Sequence, residues 1–219
     1  MSAPTKCPVE LFVDPACPYT WIAYRWLGEV ARQRPLELRL RLMSLARLNR
    51  GRELPRDQHR QIRRATDVTR IAAAVDQLYG AESLRDFYSA TAGFLFTPEH
   101  TDVVLRGRAD PRPWSELLDK AVAAGLFEAG LPAALTAASR TDRYDPGLHA
   151  SHDAAIAAVG TDVGTPVLCI DGHACFGPVL ASVPRGAAAL ALFDSVRTLS
   201  AYPDFFELKR TRRPVLDFH

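Results

Sequence analysis

The stretch from Val9 to Leu42 constrains the fold more than any other part of the chain. Val9-Glu10-Leu11-Phe12-Val13 is an apolar run and Trp21 to Arg32 is amphipathic. Leu36-Glu37-Leu38-Arg39-Leu40-Arg41-Leu42 then alternates apolar and charged residues without a break, the period-2 signature of a half-buried strand. Strand, helix and strand in that order, bounded by Pro35 before the second strand and Met43-Ser44 after it, form a right-handed βαβ unit by default. Between the first strand and the helix stands Cys17-Pro18-Tyr19-Thr20. A short loop opening at once into a helix places Cys17 at the helix N-terminus. Unpaired N–H groups and the positive end of the helix dipole favour an anion there, so its thiol is expected to ionise more easily than the roughly 8.5 of a free cysteine.

The motif falls one residue short of a dithiol site. A C-x-x-C pair opening a helix after a strand is a redox motif in which one thiolate attacks a disulfide and the second resolves it. Here the second position is Thr20. The competing reading makes Cys17 an ordinary small residue at a strand end, since free cysteine is among the most buried residue types. Tyr19, inside the motif loop, is expected to be exposed enough to stack on a flat substrate, whereas Trp21 and Tyr24 share a helix face and read as core. Asp14 either caps the strand end or raises the Cys17 pKa against the helix dipole.

From Arg56 to about Gly160 the pattern is helical almost throughout. One helix runs past Ile62, Thr66, Thr69 and Ala73 to Leu78, and a second opens at Leu84. A third follows Pro111 and Pro113, a short one opens at Pro132, and Asp145-Pro146-Gly147 separates that from His149 to Val159. Strand character resumes at Gly164-Thr165-Pro166-Val167-Leu168-Cys169-Ile170, turns at Asp171-Gly172 and returns through His173 to Phe176. An alanine-rich helix from Ala187 to Arg197 and an aromatic tail follow. The order βαβ, helical insert, ββα is α/β, the thioredoxin topology with its middle enlarged. A single domain is expected, with its sheet part at about 7–50 and 161–200, the insert at about 55–160, and the tail 201–219 docking on the body.

Composition excludes several classes. With 27 basic and 25 acidic residues the net charge is +2, which makes no case for nucleic acid, and the arginines between Arg47 and Arg70 carry few interleaved aromatics. No apolar run approaches the roughly 18 residues of a membrane helix, and the first six residues hold no apolar signal core, so a cytoplasmic protein is expected. Four cysteines in 219 residues make no disulfide framework. Cys7 falls in the N-terminal lead-in. Cys169, His173 and Cys175 supply only three metal ligands at an unusual spacing, so packing is the better reading and no metal is expected. His149, His152 and Asp153 likewise imitate ligands but read as surface or site-lining residues.

With Cys17-Pro18-Tyr19 after a first strand and Gly164-Thr165-Pro166 before a late one, the chain resembles the DsbA-like branch of the thioredoxin superfamily. Four blocks, Phe12 to Trp21, Val163-Gly164-Thr165-Pro166, Phe176-Gly177-Pro178-Val179-Leu180 and Tyr202 to Arg210, are similar to the actinobacterial mycothiol-dependent reductase family, which includes enzymes acting on nitro compounds. The resemblance implies that Cys17 is the nucleophile and that Pro166 is a cis-proline beside it, turning the Thr165 backbone toward the sulfur. It makes Pro18, Tyr19, Thr165 and Pro166 candidates for thiol and substrate binding, with His152 contacting substrate from the insert. The departure is Thr20, where better-known members carry the resolving cysteine. A monothiol oxidoreductase then needs a low-molecular-weight thiol, mycothiol or a glutathione-like molecule, as co-substrate, with no tightly bound cofactor. Its other substrate is a disulfide or an electrophile, and Thr20 is available to donate a hydrogen bond to the Cys17 thiolate. With serine in place of Cys17 the pattern resembles kappa-class glutathione transferases and 2-hydroxychromene-2-carboxylate isomerases, so a transferase or isomerase stays open, as does a non-catalytic thioredoxin-fold binding module. Monomer and homodimer are both open.

Overall fold

The structure, a computed structural model, describes residues 6–53, 56–106, 111–211 and 216–218. Four strands form one sheet in the order β2-β1-β3-β4. β1 (Cys7–Val13) pairs parallel with β2 (Leu36–Leu42) and antiparallel with β3 (Val167–Ile170), which turns into β4 (His173–Phe176). The turn holds Asp171 at φ 52° and Gly172 at φ 86°, the pair of left-handed residues that a two-residue hairpin needs. β1 starts at Cys7 itself, so that residue belongs to the sheet rather than to a lead-in.

Because side chains alternate across a strand, the sheet presents two different faces. Val9, Leu11, Val13, Leu40, Leu168 and Ile170 are buried on one face. They share a core with Ile22, Trp26, Leu27 and Val30 of α1 (Pro18–Ala31) and with Ala189 and Phe193 of α7 (Gly186–Ser200). Trp26 is fully buried and donates its Nε1–H to the Ala189 carbonyl at 3.0 Å, which locks α7 to α1. The opposite face buries Phe12 and Val167 against Met43 and Ala155. The expected thioredoxin topology is the one observed, with a helical block between β2 and β3.

That block contains α2 (Leu45–Leu48), α3 (Arg56–Leu95), α4 (Thr101–Arg106), α5 (Pro111–Glu128), a 3₁₀ helix (Ala133–Arg140) and α6 (Asp145–Val159). α3 is two helices in series. Gly80, at φ 86° and ψ 178°, breaks the run where the sequence pattern changes between Leu78 and Leu84. Two boundaries differ from the sequence expectation. The expected separator Asp145-Pro146-Gly147 is the first turn of α6, and Pro111 and Pro113 sit inside the first turn of α5 rather than ahead of it. Both follow from proline being harmless where helical N–H groups have no partner within the helix. α5 approaches α3 closely at Gly125, where a Cβ would stand 2.0 Å from Thr91 Oγ1 and 3.2 Å from the Phe87 ring.

The tail divides in two, which corrects the expectation of a docked aromatic surface. Tyr202, Phe206 and Leu208 stand exposed, Phe206 at 90% and Leu208 at 81%, whereas Leu216 and Phe218 are buried. Phe218 stacks 5.4 Å from Phe96, its carbonyl accepts from Arg25 Nη1 at 2.8 Å, and Asp217 N–H donates to the Ala181 carbonyl. The chain end therefore ties the insert to α1 and to the loop after β4. Residues 212–215 and 219 of the expected tail lie outside those described, as do 1–5, 54–55 and 107–110.

Gly125→Ala is expected to lower the unfolding free energy by about 1–3 kcal/mol, since the methyl forces two buried helices apart. Alanine's better helix propensity, worth about 1 kcal/mol, offsets part of that. Urea denaturation measures it, and an unchanged midpoint would mean that α3 and α5 do not approach at Thr91.

Candidate active site

Asp14 builds the turn that carries Cys17. Its backbone carbonyl accepts the Cys17 N–H at 2.9 Å, and its carboxylate accepts the Ala16 N–H at 3.0 Å and the Leu45 N–H at 2.9 Å. One buried side chain thus closes the loop after β1 and fastens the start of α2, the segment that follows β2. Asp14 is capping the strand end, and its charge also raises the Cys17 pKa, so both readings of this residue hold at once. Burial pushes the Asp14 carboxyl itself up to about 6, against the two N–H donors that hold it down.

Cys17 is the residue before α1, with Pro18 in the first turn. Its Sγ donates to the Thr165 carbonyl at 3.8 Å, across the cis Thr165–Pro166 peptide. Cys17 is only 5% exposed, and burial pushes its thiol upward, the opposite of the sequence expectation. The Thr165 side chain and the backbone N–H groups of Thr20 and Tyr19 pull it back without reversing the direction. Thr165 Oγ1 is buried and makes no bond of ordinary hydrogen-bond geometry. A helix N-terminus favours the thiolate, but here the loss of water around the sulfur outweighs it.

Contrary to the sequence expectation, the Thr20 hydroxyl does not hydrogen-bond the sulfur. Its Oγ1 lies 2.7 Å from the Cys17 carbonyl and 3.1 Å from the Asp14 carbonyl, and it accepts from the Tyr88 hydroxyl at 3.2 Å. A threonine hydroxyl has one proton, which the two backbone carbonyls share, so none is left to donate to the sulfur, while Tyr88 donates to one of its lone pairs. Only its backbone N–H serves the sulfur. Tyr88, fully buried on α3, meets Tyr24 edge-on at 5.3 Å and Trp21 at 6.3 Å, while Trp21 and Tyr24 stack at 5.7 Å. No sequence signal joins Tyr88 to the motif, because 68 residues separate it from Thr20.

His152 is buried, and its Nδ1 accepts the Ser44 N–H at 3.3 Å, which leaves Nε2 as the protonated nitrogen. Burial first and the Arg47 charge second lower its pKa, so it is a neutral ring bracing the loop after β2. Beside it, Asp153 grips Arg47 through both oxygens at 3.0 Å. Pro18 and Tyr19 are half-buried at the start of α1. Cys169 faces Ala174 and Cys175 faces Leu168 across the hairpin, so the two cysteines project from opposite faces and do not converge as metal ligands.

The Rv2466c-like family model, described as mycothiol-dependent nitroreductase Rv2466c, matches residues 16–210. The chain belongs to this family. It is a thiol-dependent oxidoreductase, and the match opens one residue before Cys17 and contains Thr20, Thr165 and Pro166. The uncharacterized protein Rv2286c of Mycobacterium tuberculosis (strain ATCC 25618 / H37Rv) is 30% identical over 212 residues, covering 94% of this chain and 83% of that protein. A crystal structure from Pseudomonas syringae, named there as a proposed protein-disulfide isomerase, superposes with a TM-score of 0.53 over 87% of this chain and 93% of its own at 18% identity. That likeness establishes the DsbA-like thioredoxin fold.

Asp14 carries a pH test. The folded carboxyl keeps its proton up to about 6, while an unfolded aspartate loses it near 3.9. Between those values the folded state binds more protons than the unfolded one, so stability falls as pH rises from 4 to 6, by about 3 kcal/mol for this group. Unfolding free energies of the native protein and of Asp14→Asn, measured by urea at pH 4 and pH 7, are expected to diverge by that amount in that direction. A difference that stays flat with pH would mean that Asp14 ionises in the fold as it does in the open chain.

Proposed function

We propose that Cys17 is the nucleophile of a monothiol exchange cycle in which a small thiol supplies the second sulfur. The observation that carries this reading is the Thr20 hydroxyl, bonded to backbone and to Tyr88, at the position a resolving thiol would need. All four cysteines are free, and the other three stand in the strands, Cys7 against Asp171 and Cys169 and Cys175 on the hairpin.

In the cycle the Cys17 thiolate attacks a mixed disulfide between the substrate and the small thiol at the small-thiol sulfur, forming a bond to that sulfur while the substrate sulfur leaves as a thiolate. A second small-thiol thiolate then attacks the mixed disulfide at the sulfur not belonging to Cys17, which leaves as the thiolate again. Electrons balance, since one disulfide is reduced and the small thiol is oxidised to its own disulfide. The Thr165 carbonyl and hydroxyl beside the sulfur, with Pro166, Pro18 and Tyr19 around it, form the binding surface for the incoming thiol. The family description supports mycothiol as that thiol, with a glutathione-like molecule as the other candidate. Four unpaired cysteines fit a reducing compartment, which we take to be the cytoplasm. His152 acts through Ser44 and the loop after β2 rather than by accepting substrate.

One observation favours a second reading. Cys17 is held as a protonated thiol donating to the Thr165 carbonyl, and a donor at this position serves a cofactor thiolate in a transferase or isomerase as a serine would. Cys17→Ser separates the two. In the exchange cycle it abolishes both turnover and the single small-thiol mass adduct seen after incubation with oxidised mycothiol or glutathione, because serine forms no mixed disulfide. In a transferase it keeps much of the activity. An adduct on Cys169 or Cys175 with Cys17 unmodified would sink both readings.

Thr20→Cys is expected to convert the protein to a dithiol. Position 20 is one turn along α1 from Cys17, and the new thiol forms an internal disulfide under mild oxidation, visible as a two-proton mass loss that reductant reverses. The buried Tyr88 hydroxyl loses its acceptor, so the variant also loses about 1–3 kcal/mol of stability. A folded variant that stays reduced would place residue 20 away from Cys17.

A further inference from the structure

From the exposed segment after α7 and the free edge of the sheet, we infer that two copies of this chain exchange the stretch Phe206 to Lys209 as a β-strand. The segment leaves α7 through a turn closed by the Phe205 N–H on the Tyr202 carbonyl and runs to residue 211 without regular secondary structure. Its sequence, Phe206-Glu207-Leu208-Lys209, alternates apolar and charged side chains, the pattern of a strand with one buried face. Yet Phe206, and Leu208 level with Phe127 of α5, are the most exposed large apolar residues described.

The sheet offers a matching edge. β2 is the outer strand, and among the described residues no strand pairs with its outer side. α3 and α6 pack near its far end, where Leu40 and Leu42 are buried, while Leu36 and Leu38 are half-exposed and Glu37 and Arg39 exposed. An open edge of this kind is a template for an added strand.

Charge favours one register. Laid antiparallel with Leu208 opposite Leu38, the segment sets Lys209 against Glu37, Glu207 against Arg39 and Phe206 against Leu40. Apolar meets apolar on the core face, and both charged pairs are of opposite sign. Laid parallel with Leu208 opposite Leu38, it sets Glu207 beside Glu37 and Lys209 beside Arg39. A two-residue shift of the antiparallel register either way sets Lys209 beside Arg39 or Glu207 beside Glu37. A parallel register with Leu208 opposite Leu36 has no like charges but sets Glu207 beside Pro35 and Phe206 beside Arg34, so the first arrangement alone gives both charged residues an opposite charge and both apolar residues an apolar neighbour.

The partner is a second copy rather than the same chain. The segment is tethered at one end to α7, which packs on α1 and on β4 at the opposite edge of the sheet. At the other end Leu216 and Phe218 are buried beside Phe96 and Arg25. Two copies related by a two-fold axis satisfy both edges at once, each lending its segment to the other. The interface lies apart from Cys17, so its test is independent of the proposed chemistry.

Sedimentation equilibrium of the full chain is expected to give the mass of two 24.1 kDa chains. The doubly substituted Glu207→Lys, Lys209→Glu protein and the doubly substituted Glu37→Lys, Arg39→Glu protein are each expected to sediment as single chains, with far-ultraviolet circular dichroism unchanged. An equimolar mixture of these two is expected to regain the double mass, since each tail then finds its complementary edge on the other chain. A single-chain mass for the unsubstituted protein, a double mass that survives either charge reversal, or a mixture that stays single-chain would each overturn the inference.

Discussion

The Asp14 carboxylate is the contact on which the site depends. Sequence brings it to the end of β1, three residues before Cys17, and the fold removes it from water. A carboxylate so buried is tolerable only with its oxygens paired, and it takes the N–H of Ala16 in its own loop and of Leu45 at the start of α2. Those two bonds join the ends of the two parallel strands, so the turn that presents Cys17 and the loop that meets the insert cannot move independently. The same charge opposes ionisation of the thiol it positions. Geometry and reactivity are in tension at this residue, and geometry prevails in the closed, buried arrangement.

A second tie runs through Thr20. In a dithiol enzyme this position holds a sulfur whose business is with the first cysteine. Here a hydroxyl bonds the Asp14 and Cys17 carbonyls and accepts from Tyr88, so the residue that stands in place of a second cysteine couples the motif to α3. The aromatic group of Trp21, Tyr24 and Tyr88 extends that coupling along α1. Below it, Arg25 spans from the Trp21 ring to the Phe218 carbonyl and draws in the chain end. The insert is therefore attached to the sheet domain at the motif and at the C-terminal segment, with His152, Asp153 and the Ser44 loop forming a third attachment on the other side.

Much of this architecture is legible in the amino-acid order because its causes are local. Alternation in Leu36 to Leu42, the apolar run of β1, the Asp171-Gly172 turn and the break near Gly80 each reflect a period or a backbone preference that a few neighbouring residues impose. The βαβ unit, the hairpin, the helical block between them and the position of Cys17 ahead of a helix follow from such signals. Helix starts were misplaced at Pro111 and Asp145 for the same reason, since proline and Asp-Pro-Gly suit both a loop and a first helical turn.

What only the tertiary structure decided is the state of each group once other parts of the chain close over it. Helix position alone favours a low thiol pKa at Cys17, yet burial beneath the Thr165 loop raises it, and no local pattern encodes how much water a fold will exclude. Thr20 reads as a donor to the sulfur until Tyr88, 68 residues away, and two backbone carbonyls claim its hydroxyl. His152 reads as a surface or site-lining residue in contact with substrate, and in the fold its Nδ1 accepts the Ser44 N–H. The tail reads as docked because it is aromatic, but Leu216 and Phe218 take the available groove and leave Phe206 and Leu208 outside. By itself the sequence determined periodicity, turn chemistry and the place of Cys17 ahead of a helix, because those depend on residue type and spacing. Protonation, hydrogen-bond partners and exposure were decided by the fold, because each depends on atoms that come together only when distant segments pack.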